Sequence, residues 1–383
     1  MERSIDDGSL EATLTRGMNE GTYPGAVAAI GSADGIERIA VVGDRDPERG
    51  KAMTRGTTFD VASLTKPVVT ATTTLSLLEA GEITLSDELR RHVPNLDGHR
   101  RGGIRLLELV THSSGFQPYS FSEEWSSVED VLNGLENRSI LEAEPGSRNE
   151  YSCLNFVYLA AALRGATERS LGELAERHVF GPVGMEDSSL GPLSDTGNVA
   201  ATYDHDYRDR ILRGEIHDPL GWAMDGESGN AGLFTTVDDL ARFARAYLAA
   251  DGTLLSAATS SACRTTGCPV STPVTASGGD SPTRPTPRRT GRASASGTRG
   301  TPERRCGSTT TATGSRFCSR TRCTTGKEPA SSGSSSGSTR WSPPDGSTDF
   351  PPPTGQYLIH GANVGWYGRS LELSVASALS TAR

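Results

Sequence analysis

The stretch Phe59–Pro67, with the sequence FDVASLTKP, decides the fold class. Its first four residues, Phe59–Ala62, predict a short strand, and the apolar pattern from Ser63 to about Ala80 predicts a helix that ends at Gly81. Pro67 suits the first turn of a helix, because the N–H that proline lacks would have no hydrogen-bond partner within the helix there. The pattern therefore places Ser63 at a strand-to-helix junction.

Ser63 and Lys66 form the first candidate catalytic pair. Lys66 is one of only three lysines in the chain, with Lys51 and Lys327. On a helix, the offset of three residues puts both side chains on one face. In a partly desolvated pocket the amine would lose its proton near neutral pH and act as base for the serine hydroxyl. The alternative is a solvated lysine at the start of a helix, because the spacing alone is weak evidence.

Strands and helices alternate through the first 256 residues. The segments Gly25–Gly31 and Ile36–Val42 predict a β-hairpin. A later helix begins after Thr236, whose hydroxyl would cap it, with Asp239 at the third helical position. Further helices are predicted at 85–92, 105–111, 127–136, 152–166 and 170–178.

The composition changes near residue 256. Residues 1–256 contain 41 acidic and 23 basic residues, a net charge of −18, whereas residues 257–383 carry +9 and five of the six cysteines. This second part is rich in Ser, Thr, Arg and Pro, so we expect it to be disordered or to come from a shifted reading frame. A genuine basic interaction tail is the alternative. A short strand at Gln356–Ile359 and a helix at Leu371–Leu379 are expected exceptions.

Several functions conflict with this sequence. No apolar run approaches the length that spans a bilayer, and the first residues do not resemble a secretory signal, so we expect a cytoplasmic protein without membrane contacts. The pairs His205-Asp206 and His217-Asp218 lack a third ligand at a metal-binding spacing, and we expect no metal and no cofactor. The arginines of the second part lack interleaved aromatic residues, so nucleic acid is not an expected partner. The oligomeric state is left open.

Further motifs accompany the serine and lysine. They are LEAGEITLSD at 78–87, LVTHSSGF at 109–116, and Pro145-Gly146 ahead of Tyr151-Ser152-Cys153. Together with Ser63-x-x-Lys66 they resemble the serine β-lactamase and penicillin-binding-protein superfamily, in particular its class C-like branch of esterases and D-aminopeptidases. The resemblance covers about residues 10–256. It implies an α/β plus all-α fold of the β-lactamase/transpeptidase type, with an antiparallel sheet flanked by helices and a helical subdomain at about 85–215.

The resemblance also implies roles for individual residues. Ser63 would form an acyl-enzyme, its backbone N–H would help to hold the oxyanion, and Tyr151 would share the serine proton with Lys66. A buried core tyrosine is the alternative for Tyr151. Cys153 stands at a substrate-binding position where the family has Asn, and a thiol cannot replace the donor and acceptor of an amide. His112 would hold a loop.

The third family motif has no convincing match. It reads Lys-Thr-Gly, or His-x-Gly, on a C-terminal strand that lines the cleft, whereas Thr325-Gly326-Lys327 and His360-Gly361-Ala362 have the wrong order. We therefore expect the C-terminal strands to be missing or aberrant. Two functions remain open. The first is a serine hydrolase whose small-molecule substrate is an ester, an amide, a D-amino-acid peptide or a β-lactam. The second is a non-catalytic pseudoenzyme or scaffold with a basic tail.

Overall fold

A computed structural model describes residues 7–266 and 356–362. All of these residues belong to one compact unit, which contains residues 1–277 and 351–383. Its strands are β1 (Gly25–Ser32), β2 (Gly35–Asp46), β3 (Lys51–Ala52), β4 (Phe59–Asp60), β5 (Ser189–Leu190), β6 (Thr202–Asp204), β7 (Arg210–Leu212), β8 (Leu233–Thr235) and β9 (Gln356–Ala362).

Eleven α helices lie within the described ranges. They are α1 (Asp7–Asn19), α2 (Thr72–Glu79), α3 (Leu89–His92), α4 (Leu106–Val110), α5 (Val128–Glu136), α6 (Cys153–Thr167), α7 (Leu171–Ala175), α8 (Gly181–Val183), α9 (Pro219–Ala223), α10 (Val237–Ala249) and α11 (Ala257–Thr266). None of the helices in these ranges is both long enough and apolar enough to cross a bilayer.

The main sheet is antiparallel, with the strand order β3-β2-β1-β9. Its centre is the predicted hairpin of β1 and β2, which pairs Gly25 with Gly43 and Ser32 with Gly35. Alternate residues of β1 enter two separate apolar clusters. Ala26 and Ala28 pack with Leu14 of α1, and Val27 and Ala29 join the large core. The sheet is therefore covered on both faces, as small apolar residues on successive positions require.

The C-terminal part contributes more to the fold than the sequence predicted. The strand expected at Gln356–Ile359 is confirmed and continues to Ala362, where it pairs with Ala26 of β1. The expectation that C-terminal strands are missing is wrong for this strand. The fold also continues past residue 256, because α11 follows directly and its Cys263 is buried in the main core. The predicted helix Leu371–Leu379 and most of the expected tail lie outside the described residues.

The helical region is built around α6. Ten consecutive residues of this helix, Leu154–Leu163, are buried, and it packs against α3 and α4. The predicted helix at 85–92 is shorter, because Asp87 accepts hydrogen bonds from the N–H and the hydroxyl of Thr84 and forms a turn instead. Only Leu89–His92 is helical.

The predicted helix from Ser63 to Ala80 is divided into three segments. A 3₁₀ turn covers Ala62–Leu64, a π-helix covers Lys66–Ala71, and α2 follows. Pro67 has no N–H to donate in the first turn, and the Thr72 hydroxyl donates to the Pro67 carbonyl at 2.8 Å. The wider π turn is thus located directly beside Ser63, as is frequent at functional sites.

Candidate active site

Ser63 lies on a tight turn at the end of β4. β4 pairs with β8, and the N–H of Val61 donates to the carbonyl of Leu233 at 3.0 Å. Ala62 has a φ of +45°, in the left-handed region, which disfavours a residue with a side chain by about 1–2 kcal/mol. Asp60 stabilises this turn, because its carboxylate accepts hydrogen bonds from the N–H of Ala62 at 2.9 Å and of His217 at 2.8 Å. Ser63 is thereby held half-buried beside the π-helix.

The structure brings together Ser63, Lys66 and Tyr151. The Lys66 ammonium donates to Ser63 Oγ at 2.8 Å, and the Tyr151 hydroxyl donates to the same oxygen at 3.0 Å. Lys66 is only 3% exposed, and its Nζ lies 4.9 Å from the centre of the Tyr151 ring. A serine oxygen that contacts both an amine and a phenol can exchange its proton with either of them.

The electrostatics of Lys66 differ from the sequence-based expectation. Burial lowers the pKa of Lys66, but negative charge on Cys153, Tyr151 and Asp218 and a hydrogen bond with Tyr151 raise it, and the net direction is upward. This direction is opposite to the one expected from burial alone, and the loss of the Lys66 proton near neutral pH stays a prediction. An ammonium at this position favours negative charge on the neighbouring phenol and on a developing oxyanion.

Cys153 is the first residue of α6 and lies beside the same lysine. Its N–H donates to the carbonyl of Pro118 at 2.9 Å, and Ser152 caps the helix by accepting from the N–H of Leu154. Burial raises the pKa of the Cys153 thiol, against the opposing charge of Lys66. The side chains of Lys66 and Asn230 act in the opposite direction and lower the pKa of this thiol. A substrate-binding role for Cys153 stays a prediction.

His112 holds the loop that carries Tyr151. Its carbonyl accepts from the N–H of Glu150 at 2.8 Å, and its Nδ1 accepts from the N–H of Ser152 at 3.1 Å. Tyr151 lies between these two bonds, with its ring centre 4.8 Å from that of the imidazole. Burial, and then the charge of Lys66, lower the pKa of His112 to about 3. The imidazole is thus neutral at physiological pH and available as an acceptor.

Asp218 and Asn230 were not singled out as site residues by the sequence. The Asn230 carbonyl accepts from Lys66 Nζ at 3.0 Å, and Asn230 Nδ2 donates to Asp218 Oδ1 at 3.1 Å. Asp218 also accepts from the N–H of Gly221, as the cap of α9, and from the Tyr119 hydroxyl at 3.3 Å. The Asp218 carboxylate thus accepts from three donors that fix its position. The Asp218-Pro219 pair is a helix-start signal, but nothing local connects it to Lys66.

One of the two candidates for the third motif lies within the described residues. Thr325-Gly326-Lys327 lies outside the described residues. In β9, His360 pairs with Ala28 and Gly361 with Val27. Over residues 7–266 and 356–362, no group of three or more His, Cys, Asp or Glu side chains is close enough together to hold a metal ion.

Comparisons with known proteins agree with this geometry. The chain is 28% identical over 271 residues to Protein Rv1367c of Mycobacterium tuberculosis. The aligned region covers 64% of this chain and 67% of that protein. The chain is 26% identical over 220 residues to a putative D-alanyl-D-alanine carboxypeptidase of Salmonella paratyphi B, covering 49% of this chain. The chain spans half the length of this second relative.

Two solved structures share the fold. The octameric penicillin-binding protein homologue from Pyrococcus abyssi superimposes with a TM-score of 0.59 at 22% identity, over 68% of this chain and 60% of that one. EstCE1, a hydrolase with promiscuous acyltransferase activity, superimposes with a TM-score of 0.57 at 23% identity, over 68% and 78%. The predicted β-lactamase/transpeptidase-like fold is confirmed.

The family assignment rests on a longer match. The model of the family described as Beta-lactamase matches residues 10–314, which include Ser63, Lys66 and Tyr151. The match also continues beyond residue 256, where the composition changes. The chain belongs to the Beta-lactamase family of serine hydrolases.

Proposed function

We propose that this protein is a serine hydrolase that transfers an acyl group to Ser63 and then to water. The observation that carries the proposal is the contact of Lys66 Nζ and the Tyr151 hydroxyl with one serine oxygen, at 2.8 and 3.0 Å. These distances lie within the range in which protons are transferred between a nucleophile and its base. The half-buried serine sits on a turn fixed by Asp60, so its oxygen has one orientation.

The mechanism assigns the serine proton to Tyr151. Because the pKa of Lys66 is raised, Lys66 stays an ammonium and favours the phenolate form of Tyr151. In that form, the phenolate accepts the Ser63 proton while Ser63 Oγ bonds to the substrate carbonyl carbon. The phenol then donates this proton to the leaving oxygen or nitrogen, and the bond to the leaving group breaks. Water releases the acyl group by the same steps, and Tyr151 accepts the water proton.

The proposed substrate is a small ester, amide, D-amino-acid peptide or β-lactam. The relative from Salmonella is named a putative D-alanyl-D-alanine carboxypeptidase, and EstCE1 is described as a hydrolase with promiscuous acyltransferase activity. Another structural neighbour, at 21% identity, is a D-amino acid amidase. Two of these names refer to D-amino-acid compounds and the third to acyl transfer, and all three are consistent with an acyl group carried by Ser63.

A chromogenic ester, a D-amino acid amide and a chromogenic cephalosporin test this function. Ser63→Ala should reduce kcat/KM by about 1,000-fold or more, because it removes the only atom that bonds to the acyl group. Ser147→Ala is the matched control, since Ser147 is exposed and its hydroxyl donates only to the nearby Glu144 carbonyl. Equal rates for Ser63→Ala and the unaltered chain would exclude the hydrolase.

The second candidate function is a non-catalytic pseudoenzyme or scaffold. The sequence favours it at one point, because the third motif of the family is not matched. A donor to the oxyanion contributes about 100- to 1,000-fold to turnover, so a chain that lacks one would be slow. Intact-protein mass spectrometry after incubation with an activated ester separates the two functions. An acyl adduct on the unaltered chain and none on Ser63→Ala supports the hydrolase, whereas no adduct on either supports the pseudoenzyme.

A further inference from the structure

Asn230 connects the three site residues to a carboxylate. Its backbone carbonyl accepts from Lys66 Nζ, and its side-chain Nδ2 donates to Asp218 Oδ1. The same side chain lowers the pKa of the Cys153 thiol. Asn230 is fully buried, so its contacts with Lys66 and Asp218 are shielded from water. The residue that contacts Lys66 through its backbone therefore carries a carboxamide, which position 153 does not supply.

The oxygen of this carboxamide is an exception among buried polar atoms. Asn230 Oδ1 is buried and has no hydrogen-bond partner in the described part of the chain. An unpaired buried acceptor destabilises a folded protein by about 1–3 kcal/mol, so such atoms are rare and often serve a function. The residue that carries it already contacts Lys66 through its backbone.

The backbone around Asn230 is fixed in place. Gly229 has a φ of +73°, and its carbonyl accepts from the Thr70 hydroxyl at 2.8 Å. The Ser228 hydroxyl donates to the Ala231 carbonyl at 3.1 Å and closes the turn. The loop is thus bonded to the π-helix that carries Lys66, and Asn230 keeps its distance from the ammonium.

We propose that Asn230 is a positioning residue that supplies, from this loop, the carboxamide that Cys153 does not provide. This inference rests on the proposed function. Once Ser63 is acylated, its oxygen is an ester oxygen and a weaker hydrogen-bond acceptor than a hydroxyl. Lys66 then needs another acceptor, and Asn230 Oδ1 provides it. The amide thereby keeps the ammonium aligned for the attack of water on the acyl-enzyme.

A double-mutant cycle on an ester substrate tests the proposal. Asn230→Ala should lower kcat by about 10- to 100-fold and lower KM with it, so that kcat/KM changes little, because only deacylation loses its aligned ammonium. The acyl-enzyme should then accumulate and be visible by mass spectrometry. Cys153→Asn in the Asn230→Ala background should recover at least about ten-fold of the lost rate, because it returns an amide to the same lysine.

Asn198→Ala is the matched control for this cycle. The Asn198 side chain binds Thr54 and the Gly56 carbonyl, away from the site, so its loss should leave kcat and the acyl adduct unchanged. A purely structural role of Asn230 would reduce the folded fraction, measured by circular dichroism, without accumulation of the adduct. A double variant no faster than Asn230→Ala overturns the proposal, while loss of activity in Ser63→Ala leaves the proposed function intact.

A second measurement does not depend on turnover. Alkylation of Cys153 by iodoacetamide, followed by peptide mass spectrometry across a pH series, reports the thiolate at this one cysteine. Since the Asn230 side chain lowers the pKa of the Cys153 thiol, Asn230→Ala should move the alkylation profile to higher pH. An unchanged profile would show that the Asn230 amide does not face Cys153 and Lys66 in solution and would overturn the proposal even for an inactive chain.

Discussion

At the scale of single residues, the site depends on which groups carry charge. The pKa of buried Lys66 is raised, which favours an ammonium, and His112, which holds the Tyr151 loop by two hydrogen bonds, is a buried neutral imidazole. The positive charge is therefore confined to one side chain beside Ser63. In the proposed mechanism, this separation lets Tyr151 act as the proton carrier while its neighbours keep fixed protonation states.

Replacement of Lys66 tests whether its side chain acts through its positive charge or as a proton acceptor. Lys66→Arg keeps a permanent positive charge and cannot accept a proton, whereas Lys66→Met keeps only the length of the side chain. We expect Lys66→Arg to retain at least about ten-fold more kcat/KM than Lys66→Met, because the ammonium acts through its charge. Steady-state kinetics on one ester substrate measures this ratio. Equal losses in both variants would indicate that a neutral amine is the base.

The lowered pKa of His112 predicts how stability depends on pH. The unfolded imidazole titrates near 6.5 and the folded one at about 3, so the unfolded chain binds more protons between these values. The contribution of His112 is complete above pH 6.5 and is lost as the pH falls toward 3, with a slope of up to about 1.4 kcal/mol per pH unit. Urea unfolding of the wild type and His112→Asn at pH 7, 6 and 5 measures it.

His112→Asn is the suitable variant because His112 has a φ of +55°, which Asn tolerates. The advantage of the wild type over the variant should shrink as the pH falls. Parallel stability curves for the two proteins would contradict the assignment of a buried neutral imidazole.

The sequence predicted the site only where its signal is local or motif-based. Ser63 and Lys66 are one turn apart, and Tyr151 is part of a motif, so all three could be named in advance. Asn230 and Asp218 could not, because their contacts join residues 164 and 99 positions apart and follow no periodicity. The direction in which the pKa of Lys66 shifts was also not foreseen, since burial alone was considered and its neighbours Cys153, Tyr151 and Asp218 were unknown.

At the scale of secondary-structure elements, the loop before β8 locks the site to the helices. A side chain at Gly229 would lie 2.7 Å from the Phe156 carbonyl and 2.6 Å from the Ala160 side chain, both in α6. The loop can therefore approach the central helix only through a glycine. The same helix begins at Cys153, so one element supports two sides of the site.

Gly229→Ala should destabilise the protein more than a glycine substitution in open space. Gly81 is the matched control, because its φ of +71° nearly equals the +73° of Gly229 and a side chain there meets nothing within 4 Å. Backbone strain alone accounts for about 1–2 kcal/mol in either variant, and the collision with α6 adds to it only at Gly229. Thermal unfolding should show a clearly lower Tm for Gly229→Ala. Equal Tm values would mean that the loop moves away freely.

The presence of a helix was easier to predict than its type and its exact bounds. The cap of α10 is confirmed, since Thr236 accepts from the N–H of Asp239 at 3.3 Å. The π turn after Ser63 was not predicted, because the apolar pattern of a π-helix over six residues is close to that of an α helix. Asp87 likewise delayed the start of a predicted helix to Leu89, through a side-chain hydrogen bond that periodicity does not reveal.

At the scale of the whole molecule, the sheet is completed from the far end of the chain. β9 pairs with β1 over seven residues, in a segment whose surroundings showed no periodicity in the sequence. Part of this strand was foreseen, because the apolar run Tyr357-Leu358-Ile359 is a local signal for a short strand. The predicted division at residue 256 stays a prediction, with α11 and β9 as folded parts beyond it.

Proline substitutions in β9 test its pairing with β1. Alternate residues of an antiparallel strand bond to a given neighbour, so one of Leu358→Pro and Ile359→Pro must remove a hydrogen bond to β1. We expect at least one variant to lower Tm by several degrees and to aggregate more readily, because an exposed strand edge recruits other chains. Ile359→Val is the control and should behave like the wild type. Wild-type behaviour of both proline variants would exclude this pairing.

The pairing of β1 with β9 has a consequence for the newborn polypeptide. Residue 32 leaves the ribosome long before residue 356 is made. The edge of β1 that pairs with β9 therefore stays without its partner strand during most of translation. Unpaired strand edges of this kind promote aggregation, and molecular chaperones protect them. The yield of folded protein from bacterial expression should therefore depend on the supply of chaperones more strongly than the complete pairing of the folded sheet alone would indicate.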